Sequence, residues 1–261
     1  YVSVMLGFML IGLLWLIAQV GRLLDRVEEL GLADDTAIIY TTDHGFYHGE
    51  HGWTGKSFIW EGGYADMPLY SEVARIPLMI RMPGGPRGER RRCFAQPPDI
   101  MPTILELTGV EAPETVQGMS LVPAMTGGRD HTRPLAISTP SLSLAPSGGR
   151  PTTIVEGDWA LVYYGAPGGA LMSVLTRNVD DIPRHAQAPA EGVPGPELYD
   201  LKHDPQQKYN VYEENLDIAV KLHADHVHFM EALGMEERYL DQRRQLQPDT
   251  ILGGLFDQQL G

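Results

Sequence analysis

The strongest constraint on the fold is a short uncharged run, Thr36-Ala37-Ile38-Ile39-Tyr40-Thr41-Thr42, that ends on an acid and an imidazole, Asp43-His44. Apolar and β-branched residues without alternation fit a strand covered on both faces, as in a parallel sheet. Ahead of it, Val20, Leu23, Leu24, Val27 and Leu30 recur at helical spacing, and Gly31 is placed to stop the helix. Helix, short loop and covered strand are the signature of an α/β layer. A second strand is expected over Ile76 to Met82, closed by Pro83-Gly84-Gly85-Pro86. A short helix is expected from Asp99 to a Gly109 stop.

From Pro134 onward the pattern changes. Residues 152–164 read as two strands joined at Gly157-Asp158, and Glu197 to Leu201 as another short strand. Leu216 to Leu233 reads as an amphipathic helix. Two stretches rich in Pro, Gly, Ser or Ala, 138–151 and 165–196, read as long loops. The expected organisation is a three-layer α/β body over residues 1–125, then a small α+β subdomain with an antiparallel sheet over residues 126–261.

Val4 to Ala18 carries no polar side chain, and with its flanks approaches the roughly 20 residues that span a bilayer. Two readings stand: a membrane anchor through residues 1–20, or a helix buried in the fold. The second is favoured, because the helical pattern runs on to Leu30 without a stop. A net charge of −14 argues against nucleic acid as a partner, since there is no cationic surplus to displace counterions. It leaves an anionic substrate open, because one bound cation outweighs the average field locally. The single cysteine, Cys93, can form no internal disulfide. The first residue is Tyr1, not Met, and the expectation is a chain that continues upstream.

The chemistry concentrates in Thr41-Thr42-Asp43-His44-Gly45-Phe46-Tyr47-His48-Gly49-Glu50-His51-Gly52-Trp53-Thr54-Gly55-Lys56. Ligands in open α/β sheets gather at the carboxyl ends of strands. Gly45 allows a sharp turn there, so Asp43 and His44 can reach the same site and offer a carboxylate and an imidazole to a divalent ion. Lys56, 12 positions past His44, adds an ammonium for an anion held by that ion. The plainer reading is a turn with a surface lysine. A zinc set of His44, His48 and His51 with Asp43 or Glu50 is a third reading, disfavoured because Gly45, Gly49, Gly52 and Gly55 oppose a helix. His223, His226 and His228 are read as a solvated helix face rather than a metal site.

Thr36 to Lys56 resembles the second metal-ligand motif of the sulfatases, of the alkaline-phosphatase superfamily, in which a strand ends in Ser/Thr-Asp-His/Asn-Gly and is followed by Gly-Glu-His-Gly and Gly-Lys. Further segments match in the family's order. They are Glu72 to Leu78, Asp99 to Gly109 with Gln117-Gly118-Met119-Ser120-Leu121, and Glu197-Leu198-Tyr199-Asp200-Leu201 with Asp204-Pro205 and Asn210. The resemblance spans about residues 20 to 215 and implies an alkaline-phosphatase-like α/β body. It implies a sulfuric-ester hydrolase in which a formylglycine hydrate attacks sulfur while one Ca²⁺ or Mg²⁺ ion and several cations hold the sulfate oxygens. By that carry-over Asp43 and His44 are metal ligands, Lys56 contacts the sulfate, and His51 either lines the pocket or packs the turn. The substrate class implied is a sulfated small molecule or glycan. Periplasmic, extracellular or membrane-associated placement is favoured over cytoplasmic.

The sequence also departs from the family. Its nucleophile motif, Cys/Ser-x-Pro-x-Arg, is not matched by Cys93-Phe94-Ala95-Gln96-Pro97, and the aspartates that complete the metal shell are not found. The expectation is the C-terminal portion of a sulfatase, inactive by itself, with formylglycine in the missing N-terminal half. Two rivals remain: a phosphoester or phosphonate-ester hydrolase of the same superfamily, and a non-catalytic, membrane-anchored protein that keeps the fold for binding. Trp53, Phe58, Trp60 and Tyr64 near Lys56 read either as an aromatic wall for a sugar or aryl group or as core.

Overall fold

The computed structural model describes residues 2–60, 63–66, 68–127, 133–139, 151–164, 195–244 and 246, without the side chains of 2–6, 8, 9, 57–60, 63–66, 164 and 242. In chain order the elements begin with α1 (Val2–Glu29), β1 (Ile38–Thr41), β2 (Tyr47–His48), β3 (Thr54–Gly55), β4 (Ser57–Trp60) and β5 (Gly63–Asp66). Next come α2 (Ser71–Ala74), β6 (Leu78–Arg81), α3 (Ile100–Leu107), α4 (Val122–Met125) and β7 (Ala136–Ser138). The last are β8 (Pro151–Glu156), β9 (Trp159–Tyr164), β10 (Glu197–Asp200), α5 (Leu216–Ala232) and α6 (Glu237–Leu240). The chain divides into two units: Tyr1–Asp43 with Pro77–Arg133, and His44–Ile76 with Pro134–Gly261.

In the first unit, α1 ends where the sequence places its stop. Gly31 takes φ 67°, with Gly31 N–H donating to Glu28 O at 2.9 Å and Leu32 N–H to Val27 O at 3.0 Å. This pair of bonds closes the last carbonyls in a left-handed cap. The helix is not the buried one expected: Leu10, Ile11, Leu13, Leu14, Trp15, Leu16 and Ile17 are exposed, around its whole circumference. Among the described residues no helix is long and apolar enough to cross a membrane. Strand β1 pairs with β6 antiparallel, Ile38 opposite Arg81 and Thr41 opposite Leu78, so the parallel arrangement expected from its composition is not found. A β-branched apolar run specifies a strand but not the direction of its neighbour.

Asp99 organises the rest of this unit. Its buried carboxylate accepts from Gln96 N–H and Met119 N–H, both at 2.8 Å, and from the Arg133 guanidinium on both oxygens. Thr103 donates to Asp99 O at 2.6 Å and accepts from Leu121 N–H at 2.9 Å. Burial would raise the Asp99 carboxyl, but the Arg133 and backbone hydrogen bonds outweigh it and hold it below its ordinary value. A side chain at Gly118 would place Cβ 1.8 Å from Pro98 O, which accounts for the glycine before Met119.

In the second unit, β10, β9, β8 and β7 form an antiparallel sheet in that order. Alternation along β9 covers both its faces. Leu161 and Tyr163 pack with Ile154, Leu198 and, from α5, Ala219 and Leu222, while Ala160 and Val162 pack with Tyr47, Tyr70, Val73 and Tyr199. The sheet thus carries α5 on one face and the segment 44–76 on the other. His223 and His226 are not on a solvated face but buried, at the same spacing as Ala219, Leu222 and Met230. His226 Nδ1 lies 2.8 Å from Tyr163 Oη, and His223 Nε2 donates to Arg243 O at 2.8 Å. Burial, with the nearby Arg243 charge, pushes the His226 imidazole down to about 3.

Candidate functional site

Asp43 and His44 stand just beyond the last residue of β1, Asp43 exposed and His44 half-buried. Asp43 Oδ1 accepts the Thr42 hydroxyl at 3.2 Å. His44 Nδ1 lies 2.7 Å from Gly45 O. A carbonyl only accepts, so Nδ1 carries a proton, and in the neutral ring Nε2 carries the lone pair. A backbone-fixed tautomer of this kind is the one a metal-ligating histidine uses. A carboxylate and an imidazole are both donors that divalent ions take. Among the described residues no group of three or more His, Cys, Asp or Glu is placed to hold a metal ion.

Gly45 is required by close approach. Its N–H donates to Val73 O at 2.9 Å, Phe46 N–H donates to Glu72 O at 3.1 Å, and a Cβ on Gly45 would fall 1.8 Å from Glu72 O. The chain after His44 is therefore laid directly against α2. It then folds back on itself: β2 pairs with β3, Tyr47 opposite Gly55 and His48 opposite Thr54. Phe46 directly precedes β2 and Lys56 directly follows β3. The 12-residue separation of His44 and Lys56 is thus the length of a hairpin, and Lys56 emerges from it exposed.

The hairpin turn needs backbone that glycine supplies. Gly49 has φ 128° and Gly52 φ 75°, and His51 between them takes φ 53°. Glu50 closes the turn by accepting His48 N–H at 2.6 Å, a bond that lowers its carboxyl. The His51 ring packs on Tyr70 at 4.2 Å between centroids, and its Nε2 lies 3.5 Å from Glu72 Oε2. Trp53 stacks on Tyr70 and meets Tyr47 edge-on, so it belongs to the core rather than to an aromatic wall. The side chains of Phe58, Trp60 and Tyr64 lie outside the described residues.

Beneath the hairpin is a set of tyrosines that the motif reading missed. Tyr47, fully buried, donates to Pro68 O at 2.6 Å and accepts Tyr70 N–H at 3.1 Å. Tyr70 donates to Glu197 Oε2 at 2.5 Å, and Tyr199 donates to the same oxygen at 2.8 Å. Burial pushes the Glu197 carboxyl above its ordinary value despite both hydroxyls. Ser71 N–H donates to Gln207 Oε1 at 2.8 Å and Thr153 Oγ1 to Leu69 O at 2.8 Å, which ties the start of α2 to the C-terminal sheet. The signal available in the sequence was alternation: in β10, Glu197 and Tyr199 share one face.

The sulfatase family model matches residues 18–110, the stretch that holds β1, the hairpin and α2. The N-acetylglucosamine-6-O-sulfatase of Bacteroides thetaiotaomicron is 40% identical over 108 residues, 41% of this chain and 18% of that protein. Residues 18–110 are thus similar to the sulfatase family. Among solved structures, the chain is similar to a sulfatase-like one in complex with its substrate D-glucosamine-2-N,6-O-disulfate, with TM-score 0.57 and 27% identity, covering 86% of this chain and 39% of that one. It is also similar to the phosphonate monoester hydrolase of Agrobacterium radiobacter, with TM-score 0.56 and 25% identity, covering 85% and 40%. The chain therefore spans well under half the length of each of these relatives, and its fold is part of their alkaline-phosphatase-like α/β architecture.

Proposed function

We propose that this chain supplies two metal ligands and a sulfate-contacting lysine to a metal-dependent sulfuric-ester hydrolase acting on a sulfated small molecule or glycan. The observation that supports the reading is the β2–β3 hairpin, Tyr47 opposite Gly55, which folds the stretch before Lys56 back along the stretch after His44. Asp43 and His44 Nε2 would hold one Ca²⁺ or Mg²⁺ ion. Such an ion, when bound, stabilises negative charge on the ester oxygens without proton transfer. Lys56 adds a donor to the same oxygens, and its exposure leaves it able to reach them. His51, packed on Tyr70 and turned toward Glu72, shapes the hairpin turn beside the site. Periplasmic or extracellular placement follows family analogy and is checked by fractionation.

The test is inorganic sulfate release from a sulfated monosaccharide by the gene product that contains these residues. Release should require a divalent ion, stop on chelation, and fall sharply in Asp43→Ala. Release indifferent to chelation and to Asp43→Ala would remove the reading. A second reading, phosphonate- or phosphoester hydrolysis, is favoured by the likeness to a phosphonate monoester hydrolase. Faster turnover of an aryl phosphonate monoester than of the sulfate ester would put it first.

A further inference from the structure

In a chain of net charge −14, four of the 20 Lys and Arg residues fall between Arg87 and Arg92: Arg87, Arg90, Arg91 and Arg92, against the one acid Glu89. Every residue from Pro86 to Arg92 is exposed. The loop is held from one point. Arg91 Nε donates to Ala124 O at 2.7 Å, Nη2 reaches Met125 O at 3.5 Å, and Nη1 pairs with Glu89 at 2.5 Å. The two carbonyls close the last turn of α4, where a cation is favoured. Gly88, at φ 68°, reverses the chain just before the arginine run.

Arg91 and Glu89 therefore satisfy each other and the α4 carbonyls. Arg87, Arg90 and Arg92 have no hydrogen-bond or ion-pair partner among the described residues, although the chain holds 34 acids. Three unneutralised guanidiniums within at most about 18 Å of chain make a local positive field in an acidic protein. We propose that this loop, residues 86–92, is a docking surface for a polysulfated glycan. A guanidinium offers paired donors that match two oxygens of one sulfate group. A flexible glycan can be gripped by one short loop, whereas a duplex nucleic acid needs a broad basic face that this chain lacks. The choice of sulfate over other anions rests on the sulfuric-ester reading of the Asp43–Lys56 segment.

The test is a binding measurement with no turnover: fluorescence anisotropy of a labelled heparin hexasaccharide with the whole chain and with a triple variant, Arg87→Ser, Arg90→Ser and Arg92→Ser. All three residues are exposed, and circular dichroism confirms that the variant folds. Affinity of the parent should fall roughly 20- to 50-fold between about 50 and 200 mM salt, as displacement of about three counterions requires. The variant should bind at least tenfold more weakly and lose most of that salt dependence. Equal binding by parent and variant would overturn the proposal. So would equal affinity of the parent for a desulfated hexasaccharide, a DNA oligomer or phosphatidylserine vesicles. Failure of the parent chain to bind the hexasaccharide, with sulfate release by the gene product intact, would sink this inference alone, and binding without sulfate release would sink only the catalytic reading.

Discussion

In the second unit the segment 44–76 rests on one face of a four-stranded sheet, and Tyr47, Tyr70 and Val73 are buried against Ala160, Val162 and Tyr199. In the first unit the comparable motif residues, Asp99 and Thr103, are held by hydrogen bonds and one buried ion pair. Both buried apolar clusters among the described residues belong to the second unit. The first leaves Met79, Met101 and Ile104 exposed along with the side chains of α1. Two motifs of one family are thus fixed by different physics: one by burial of rings and aliphatic groups, the other by a polar hub whose parts fail together.

The largest effect should come from breaking the hub. Asp99→Ala leaves the Arg133 guanidinium and the Gln96 and Met119 amides without their acceptor, and should cost about 3–5 kcal/mol in urea unfolding. A loss below about 1 kcal/mol would mean that apolar contacts hold this unit too. Lys56→Ala should act oppositely. In the gene product it should lower kcat/KM by about 100- to 1000-fold, with stability unchanged, because one transition-state donor is removed from an exposed position. A change in stability with normal kcat/KM would return Lys56 to the status of a surface residue.

Tyr47→Phe probes the burial side of the comparison. It strips the hydroxyl that serves Pro68 O and Tyr70 N–H and should cost about 1–3 kcal/mol, read as a lower urea midpoint at constant slope. The effect of a single pH unit should be the smallest. The buried His226 imidazole has its value lowered to about 3 from 6.5. Below pH 6.5 the unfolded chain therefore binds a proton that the folded chain refuses, and stability falls as pH falls from 6.5 toward 3, by at most about 1.4 kcal/mol per pH unit. Glu197, raised by burial, has the opposite sign: the folded carboxyl keeps its proton while the unfolded one ionises, so stability falls as pH rises past 4.5. Glu197→Gln should remove that second slope and leave the first.

How much of this was legible depends on whether a residue's role is local. The stop at Gly31, the turn at Gly157-Asp158 and the strand before Asp43 were readable, because turn chemistry and apolar runs act over a few residues. The antiparallel partner of β1 was not, since strand direction is set by a residue some forty positions away. Gly45 was read as a turn, yet its need comes from Glu72 O, an approach made only once α2 is in place. His223 and His226, expected on a solvated face, share a helical period with Ala219, Leu222 and Met230 that carries them inside. The Asp43, His44 and Lys56 grouping comes from motif order alone, since no local rule links residues 12 positions apart.

The most direct measurement is a crystal structure of the gene product grown with Mn²⁺ in place of the native ion, read by anomalous scattering. The account requires an anomalous peak bound through an Asp43 carboxylate oxygen and His44 Nε2, with the Lys56 ammonium facing the same site. A peak that leaves Asp43 and His44 without contact, or a His44 ligated through Nδ1, would contradict it.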